Sequence, residues 1–201
     1  MDLRDISAVL PLHFFEVGIE ITQDFRILER YSEYLDEEPF HEIEMKWGEE
    51  GLFFHIRVDK GFEKAFFPQV EKGDGVEFFI DTRGIEDALI VHKYCHHFVF
   101  LPKEVDGVLG VEVTRFKTND TRELCKRECL KVTSQFSKNS YTISVCIPRE
   151  ALFGYDPFEY STLKMAYIIH RGSNESNHFP KSNRELNVKD HPSLWATLYL
   201  K

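Results

Sequence analysis

The stretch Gly73-Asp74-Gly75-Val76-Glu77-Phe78-Phe79-Ile80-Asp81-Thr82-Arg83-Gly84 decides the fold. It opens on a Gly-Asp-Gly turn, where glycine supplies positive φ without steric cost. An alternating run follows. Val76, Phe78 and Ile80 fall on one face, and Glu77, Phe79 and Asp81 on the other. The run leaves through a polar Thr-Arg-Gly exit. This reads as a central strand of a β-protein, with one face in a core and the other carrying acids and an aromatic ring.

The same period of two recurs on both sides of that stretch. Phe15, Val17, Ile19 and Ile21 share a face in the segment from His13 to Ile21. Ile43, Met45 and Trp47 alternate with Glu42, Glu44 and Lys46. After the turn Gly48-Glu49-Glu50-Gly51, Leu52, Phe54, Ile56 and Val58 alternate with Phe53, His55, Arg57 and Asp59. Two such runs around a glycine-bounded turn predict a hairpin. A second hairpin is predicted over Leu130 to Ile147, turning at Ser137-Lys138-Asn139-Ser140. Further strands are predicted over Ile90 to Pro102, Val108 to Phe116, Leu163 to Ile169 and Leu194 to Leu200.

The remainder reads as connections. Thr22 to Phe40 is a loop with a short helical turn. Thr118 to Glu128 has the composition of a short helix, and Pro148 to Gly154 of one helical turn. Arg171 to Pro192 is a long polar loop. Eight to ten short strands without regular helices between them predict an all-β, jelly-roll-like antiparallel β-sandwich. No linker or repeat divides it, so residues 1–201 form a single domain.

Composition narrows the function classes. The 201 residues are 42% hydrophobic and include 18 phenylalanines, enough for a large core in a sheet protein. A formal net charge of -9 repels phosphate backbones and anionic bilayers, which argues against nucleic acid and membrane partners. No secretory leader or membrane-spanning run is evident, so the expectation is a cytoplasmic protein with Cys95, Cys125, Cys129 and Cys146 as reduced thiols.

The order of pieces carries a family resemblance. Met45-Lys46-Trp47 and Leu52 to Val58 precede Gly73 to Asp81. Tyr141-Thr142-Ile143-Ser144-Val145-Cys146-Ile147-Pro148-Arg149-Glu150-Ala151-Leu152 follows, and His191-Pro192-Ser193-Leu194-Trp195-Ala196-Thr197-Leu198 closes the chain. This resembles a carbohydrate-binding module of the family 9 type, within the wider DOMON-like group, and among these the standalone bacterial members. The resemblance implies a β-sandwich and a saccharide or polyol ligand. Sugar-binding members clasp the ring between two tryptophans and often hold calcium. The chain has two tryptophans, both in scaffold pieces, so no sugar-clasp or calcium residue carries over and no cofactor is assigned.

Read from the residues themselves, the candidate ligand-binding set is Asp81, Arg83, Tyr94, His96, Arg171 and Trp195. Arg83 offers a planar fork to a carboxylate, a phosphate or vicinal hydroxyls, or else an internal ion pair with Asp81 or Glu77. Glu77, Phe79 and Asp81 suit a sugar platform if their face is open; if the strand is covered on both sides, Phe79 faces a core. On a strand, His92, Tyr94 and His96 share one face, with Cys95 and His97 opposite. Histidine and cysteine ligate zinc, with Asp81 or His170 to complete a set, yet His96 and His97 point apart. No metal or catalytic residue is therefore assigned. Cys125 and Cys129 read as half-buried rather than redox-active.

Three functions stay open: a non-catalytic saccharide- or polyol-binding domain, a protein-interaction domain that keeps the fold without a sugar site, and a metal-dependent enzyme built on His92 to His97. A deep groove lined by Tyr94, His96 and Arg171 would exclude the second.

Overall fold

A computed structural model describes residues 19–23, 26–27, 40–172, 175–179 and 187–201. Twelve strands run in chain order as β1 (Ile19–Ile21), β2 (Arg26–Ile27), β3 (His41–Gly48), β4 (Gly51–Val58), β5 (Gly75–Asp81), β6 (Cys95–Val105), β7 (Val108–Glu112), β8 (Lys131–Phe136), β9 (Tyr141–Pro148), β10 (Thr162–Arg171), β11 (Glu175–Phe179) and β12 (Ala196–Leu200). They form two sheets. The smaller has the order β2-β3-β4-β9-β8. The larger runs β1-β12-β10-β5-β6-β7, with β11 continuing along the β10 edge beyond β12. Apart from the parallel β1–β12 pair, all pairings are antiparallel.

Both predicted hairpins form, because alternation and turn chemistry agree. β3 and β4 pair from His41↔Val58 to Gly48↔Gly51, and β8 and β9 from Lys131↔Cys146 to Phe136↔Tyr141. Gly51 is required where it stands. Its φ is +140°, and a Cβ there would lie 2.2 Å from the Ile147 carbonyl oxygen.

Inward residues of β3, β4, β5, β6, β9, β10, β11 and β12 make one core between the sheets. Phe54 of β4 stacks on Phe78 of β5 at 4.3 Å between ring centroids, joining the two layers, and Phe100 and Tyr167 pack round Phe78. Trp47 belongs to this core, as its face with Ile43 and Met45 predicts.

β5 is buried along its whole length on both faces. Its outer face carries a second, smaller cluster of Phe79, Val91, Cys95, Ala166, Ile168, Val188 and Trp195. Phe79 therefore faces a core and makes no open platform. The segment 187–195 covers it: Val188 is buried, and Trp195 Nε1 donates to the Val188 carbonyl at 2.7 Å.

Four expectations are corrected. β11 lies inside the predicted polar loop. Its sequence, Glu175-Ser176-Asn177-His178-Phe179, has one apolar residue, but Asn177 faces inward, where its Oδ1 accepts from Phe40 N–H at 3.2 Å and meets His41 Nδ1 at 3.1 Å. β6 begins at Cys95, so His92 and Tyr94 lie in the preceding turn and share no strand face with His96. The helix predicted over Thr118 to Glu128 reduces to a 3-10 turn at Arg127–Cys129. Arg26–Ile27 is a strand within the predicted Thr22 to Phe40 loop; most of that loop, and residues 13–18 of the first predicted strand, lie outside the described residues.

Candidate functional site

A buried acid in the middle of a sheet calls for partners, since an unpaired carboxylate there is costly. Glu77 is that acid. Alternation aims it outward from the centre of β5, between Val99 on β6 and Ile168 on β10. Neighbouring strands and the covering segment supply three donors. His97 Nε2 and His170 Nε2 each lie 2.6 Å from a Glu77 oxygen, and Lys189 Nζ lies 2.7 and 3.0 Å from the two. An ionised carboxylate only accepts, so both imidazoles carry their proton on Nε2. Burial alone would push the Glu77 carboxyl up. Hydrogen bonds from His170 and His97, with the charges of His97 and Lys189, outweigh it and hold the carboxyl far below the usual carboxylate range.

The ring around this centre is polar and incompletely satisfied. His178, on β11, bonds Ser176 Oγ through Nε2 at 2.8 Å, while its buried Nδ1 has no partner among the described residues. Burial and the nearby His170 and Lys189 charges lower it to about 4. His97 also lies against Phe79, 4.4 Å between ring centroids. Two members reach solvent: the Lys189 side chain is 37% exposed and that of His97 20%. A charged network with perturbed titrations, which the β-sandwich does not need for its core, marks a site candidate.

The residues predicted from the sequence fall in four places. Trp195 lies on this outer face beside Phe79, but only 4% exposed. Arg171 ends β10 and is paired with Glu63 and Glu175, both at 3.1 Å. Asp81 and Arg83 lie at the other end of the sheet, since Asp81 pairs with Lys164, seven residues before Arg171; that separation is roughly 23 Å along a strand. Asp81 accepts from the backbone N–H groups of Arg83 and Ile85, both at 3.0 Å. Arg83 forms neither predicted ion pair; its guanidinium lies 3.6 Å from the Tyr160 ring centroid and 5.1 Å from that of Tyr94, which stacks on Phe153.

His96 turns inward, opposite to His97, as strand alternation requires. It is fully buried in a second ionic cluster with Glu112 and Arg122. Burial lowers its titration, and Glu112 is held at about 2 because bonds from His96 and Arg122 outweigh burial. Cys125 N–H also donates to Glu112, at 2.7 Å, so this cluster ties the long connection after β7 to the sandwich. Tyr94, His96 and Arg171 thus line no common groove. A shallow groove of about 310 Å³ lies instead on the outer face of the smaller sheet, over Glu44, Phe53, His55, Lys131, Thr133 and Ser144, with none of the predicted site residues in it.

Sequence reading found Glu77 and proposed His170 for a metal set, but missed Lys189 and His178. The available signal was the outward parity of Glu77 and His97; nothing local tied either to residue 178 or 189.

The resemblance to calcium-holding modules can be tested on donor chemistry. Calcium takes six to eight oxygen ligands. Among the described residues, the group of three or more acidic, histidine or cysteine side chains with converging donor atoms is Asp81, His92 and Cys95. One oxygen, one nitrogen and one sulfur do not fit calcium.

No protein-family model matches the sequence, and no curated protein does. Solved structures do match in fold. A family 9 carbohydrate-binding module from Caldicellulosiruptor kristjanssonii, in complex with cellotriose, aligns over 92% of this chain and 94% of its own at 11% identity and a TM-score of 0.64. The glucose complex from the same organism gives the same identity and score over 96% of its chain. A Bacteroides uniformis protein proposed to bind carbohydrate aligns over all of its own chain at 14% identity, with a TM-score of 0.58. Two stacked, mainly antiparallel sheets, matched over nearly the whole length, give the chain the fold of the family 9 carbohydrate-binding modules.

Proposed function

We propose that this protein is a non-catalytic saccharide-binding domain whose ligand sits over Glu77, at the edge where Lys189 and His97 reach solvent. The carrying observation is the convergence of Glu77, His97, His170 and Lys189 on the outward face of the central strand. The partly exposed Lys189 ammonium suits a sugar hydroxyl, which accepts from it, while the buried Glu77 carboxylate holds that ammonium in place. The partly exposed His97 ring, packed on the buried Phe79, adds a flat surface next to these groups. A fold shared with modules seen with cellotriose and glucose supports the same reading.

Calorimetry against a panel of mono- and oligosaccharides tests it. One saccharide class should bind to the wild type. Lys189→Ala, which removes a partly exposed side chain, should weaken that binding about tenfold or more, the scale of one lost charged hydrogen bond. No binding to any saccharide, or binding indifferent to Lys189, rejects the assignment.

A second reading rests on the opposite end of the sheet. Ile85, Leu89, Ile90, Phe153 and Phe158 are all exposed there, Phe158 at 72%. Exposed apolar side chains on the connections after β5 and β9, which touch through Thr82 and Phe153 and through Arg83 and Tyr160, suit a protein partner. It gains weight if sedimentation shows self-association that Phe158→Ser abolishes.

A further inference from the structure

We propose that Asp81, His92 and Cys95 form a binding site for a zinc-class divalent cation, separate from the Glu77 network and independent of saccharide binding. Asp81 and Cys95 are register partners on β5 and β6, so their outward side chains stand side by side. His92 comes from the turn that Cys95 N–H closes on the His92 carbonyl at 2.9 Å, which folds the imidazole back over the pair. The carboxylate oxygen, ring nitrogen and sulfur all lie within 4.8 Å of one another.

The spacing suits an ion better than an internal bond. His92 Nε2 is 3.6 Å from Asp81 Oδ2, too long for a hydrogen bond, and this buried nitrogen has no other partner among the described residues. In tetrahedral zinc with bonds of about 2.0 to 2.3 Å, neighbouring ligand atoms sit roughly 3.3 to 3.7 Å apart. The Asp81–His92 pair already has that separation, and Cys95 Sγ needs a movement of about 1 Å at most to reach it.

The chemistry selects the ion. Imidazole, thiolate and a single carboxylate favour zinc over calcium or magnesium. Aspartate and thiolate together neutralise a divalent charge. Lys164, the other register partner of Asp81, has its Nζ held 2.9 Å from the Glu86 carbonyl. The bonds from Arg83 and Ile85 N–H fix the carboxylate, as outer partners do for metal ligands. Three protein ligands leave one position for water or an external donor. Binding releases one proton, from the Cys95 thiol. It also moves the His92 ring proton. Without metal, Tyr94 N–H donates to His92 Nδ1 at 3.3 Å, which places the proton on Nε2; ligation through Nε2 transfers it to Nδ1 and gives up that long contact.

The test uses tag-free full-length protein, freed of metal and kept reduced. Zinc alone is titrated in competition with a chromophoric chelator, and cobalt is the spectroscopic probe. One equivalent should bind, cobalt should show a thiolate charge-transfer band, and nitrogen NMR should report the change of His92 tautomer. His92→Ala, in a half-exposed turn, should weaken zinc binding about tenfold or more. Cys95→Ser should remove the charge-transfer band, and Cys146→Ser, on the other sheet, should change nothing. Absence of stoichiometric binding, a cobalt complex without thiolate character, or undiminished binding by His92→Ala overturns the site. Should Cys95→Ser fail to fold, the cobalt spectrum and His92→Ala decide it.

Discussion

Replacing Glu77 by glutamine removes the charge on which the outer face of β5 is built while keeping the shape. Three donors lose an ionised acceptor at once: His97, His170 and Lys189. The new amide also turns an NH2 group towards at least one of them. Each charge-assisted bond contributes about 1.5 to 3 kcal/mol, but the three share one carboxylate and do not add. Breaking a buried ionic group by removing one partner costs about 3 to 5 kcal/mol, the range expected at neutral pH. For a chain of this size that is a fall in Tm on the order of 10 °C.

The pH dependence makes this prediction specific. Glu77 has its folded pKa below the ordinary 4.5, so the unfolded chain takes up its proton first as pH falls. Its contribution is complete above about pH 4.5 and declines below, by at most about 1.4 kcal/mol per pH unit. Glu77→Gln lacks that decline. In urea unfolding, the gap between wild type and variant should be widest near neutrality and narrow steadily under acid. A cost under about 1 kcal/mol, or a gap that does not change with pH, would refute the account of Glu77 as a buried ionised centre.

Lys189→Met should cost much less than Glu77→Gln, about 1 kcal/mol in the same unfolding assay, because the histidines keep their acceptor and the lysine is partly solvated. His178 has its folded pKa lowered to about 4 from 6.5, so wild-type stability should decline as pH falls through that interval. His178→Asn should flatten that interval, measured as reduced proton uptake on unfolding. Arg122→Met leaves Glu112 facing only neutral donors and should destabilise by about 3 to 5 kcal/mol, read by thermal unfolding. Gly51→Ala forces a Cβ against the Ile147 carbonyl at a positive φ and should cost about 1 to 3 kcal/mol or more, while Glu49→Ala in the same turn is neutral.

Strand pairing and register were legible where neighbours lie close in the chain. Ile43 to Trp47 and Leu52 to Val58 meet across one glycine turn, so periodicity and turn chemistry suffice for both pairing and register. β11 was illegible although β10 lies next to it in the chain: its inward residue is Asn177, whose side chain is satisfied by Phe40 and His41, more than a hundred positions away. The turn at His92 to Tyr94 was equally hidden, since a strand pattern continues through it and only the Cys95–His92 backbone bond interrupts it.

For the opening stretch, the amino-acid sequence by itself determined the alternation. Val76, Phe78 and Ile80 go one way and Glu77, Phe79 and Asp81 the other, because a strand has a period of two. It could not say what covers the second face. Only the tertiary structure decided that Phe79 meets Trp195, that Glu77 meets His170 and Lys189, 93 and 112 residues away, and that Asp81 stands beside Cys95 and His92. The physical reason is that a buried charge is tolerated wherever donors converge, and convergence across sheets and covering loops leaves no local pattern in the chain.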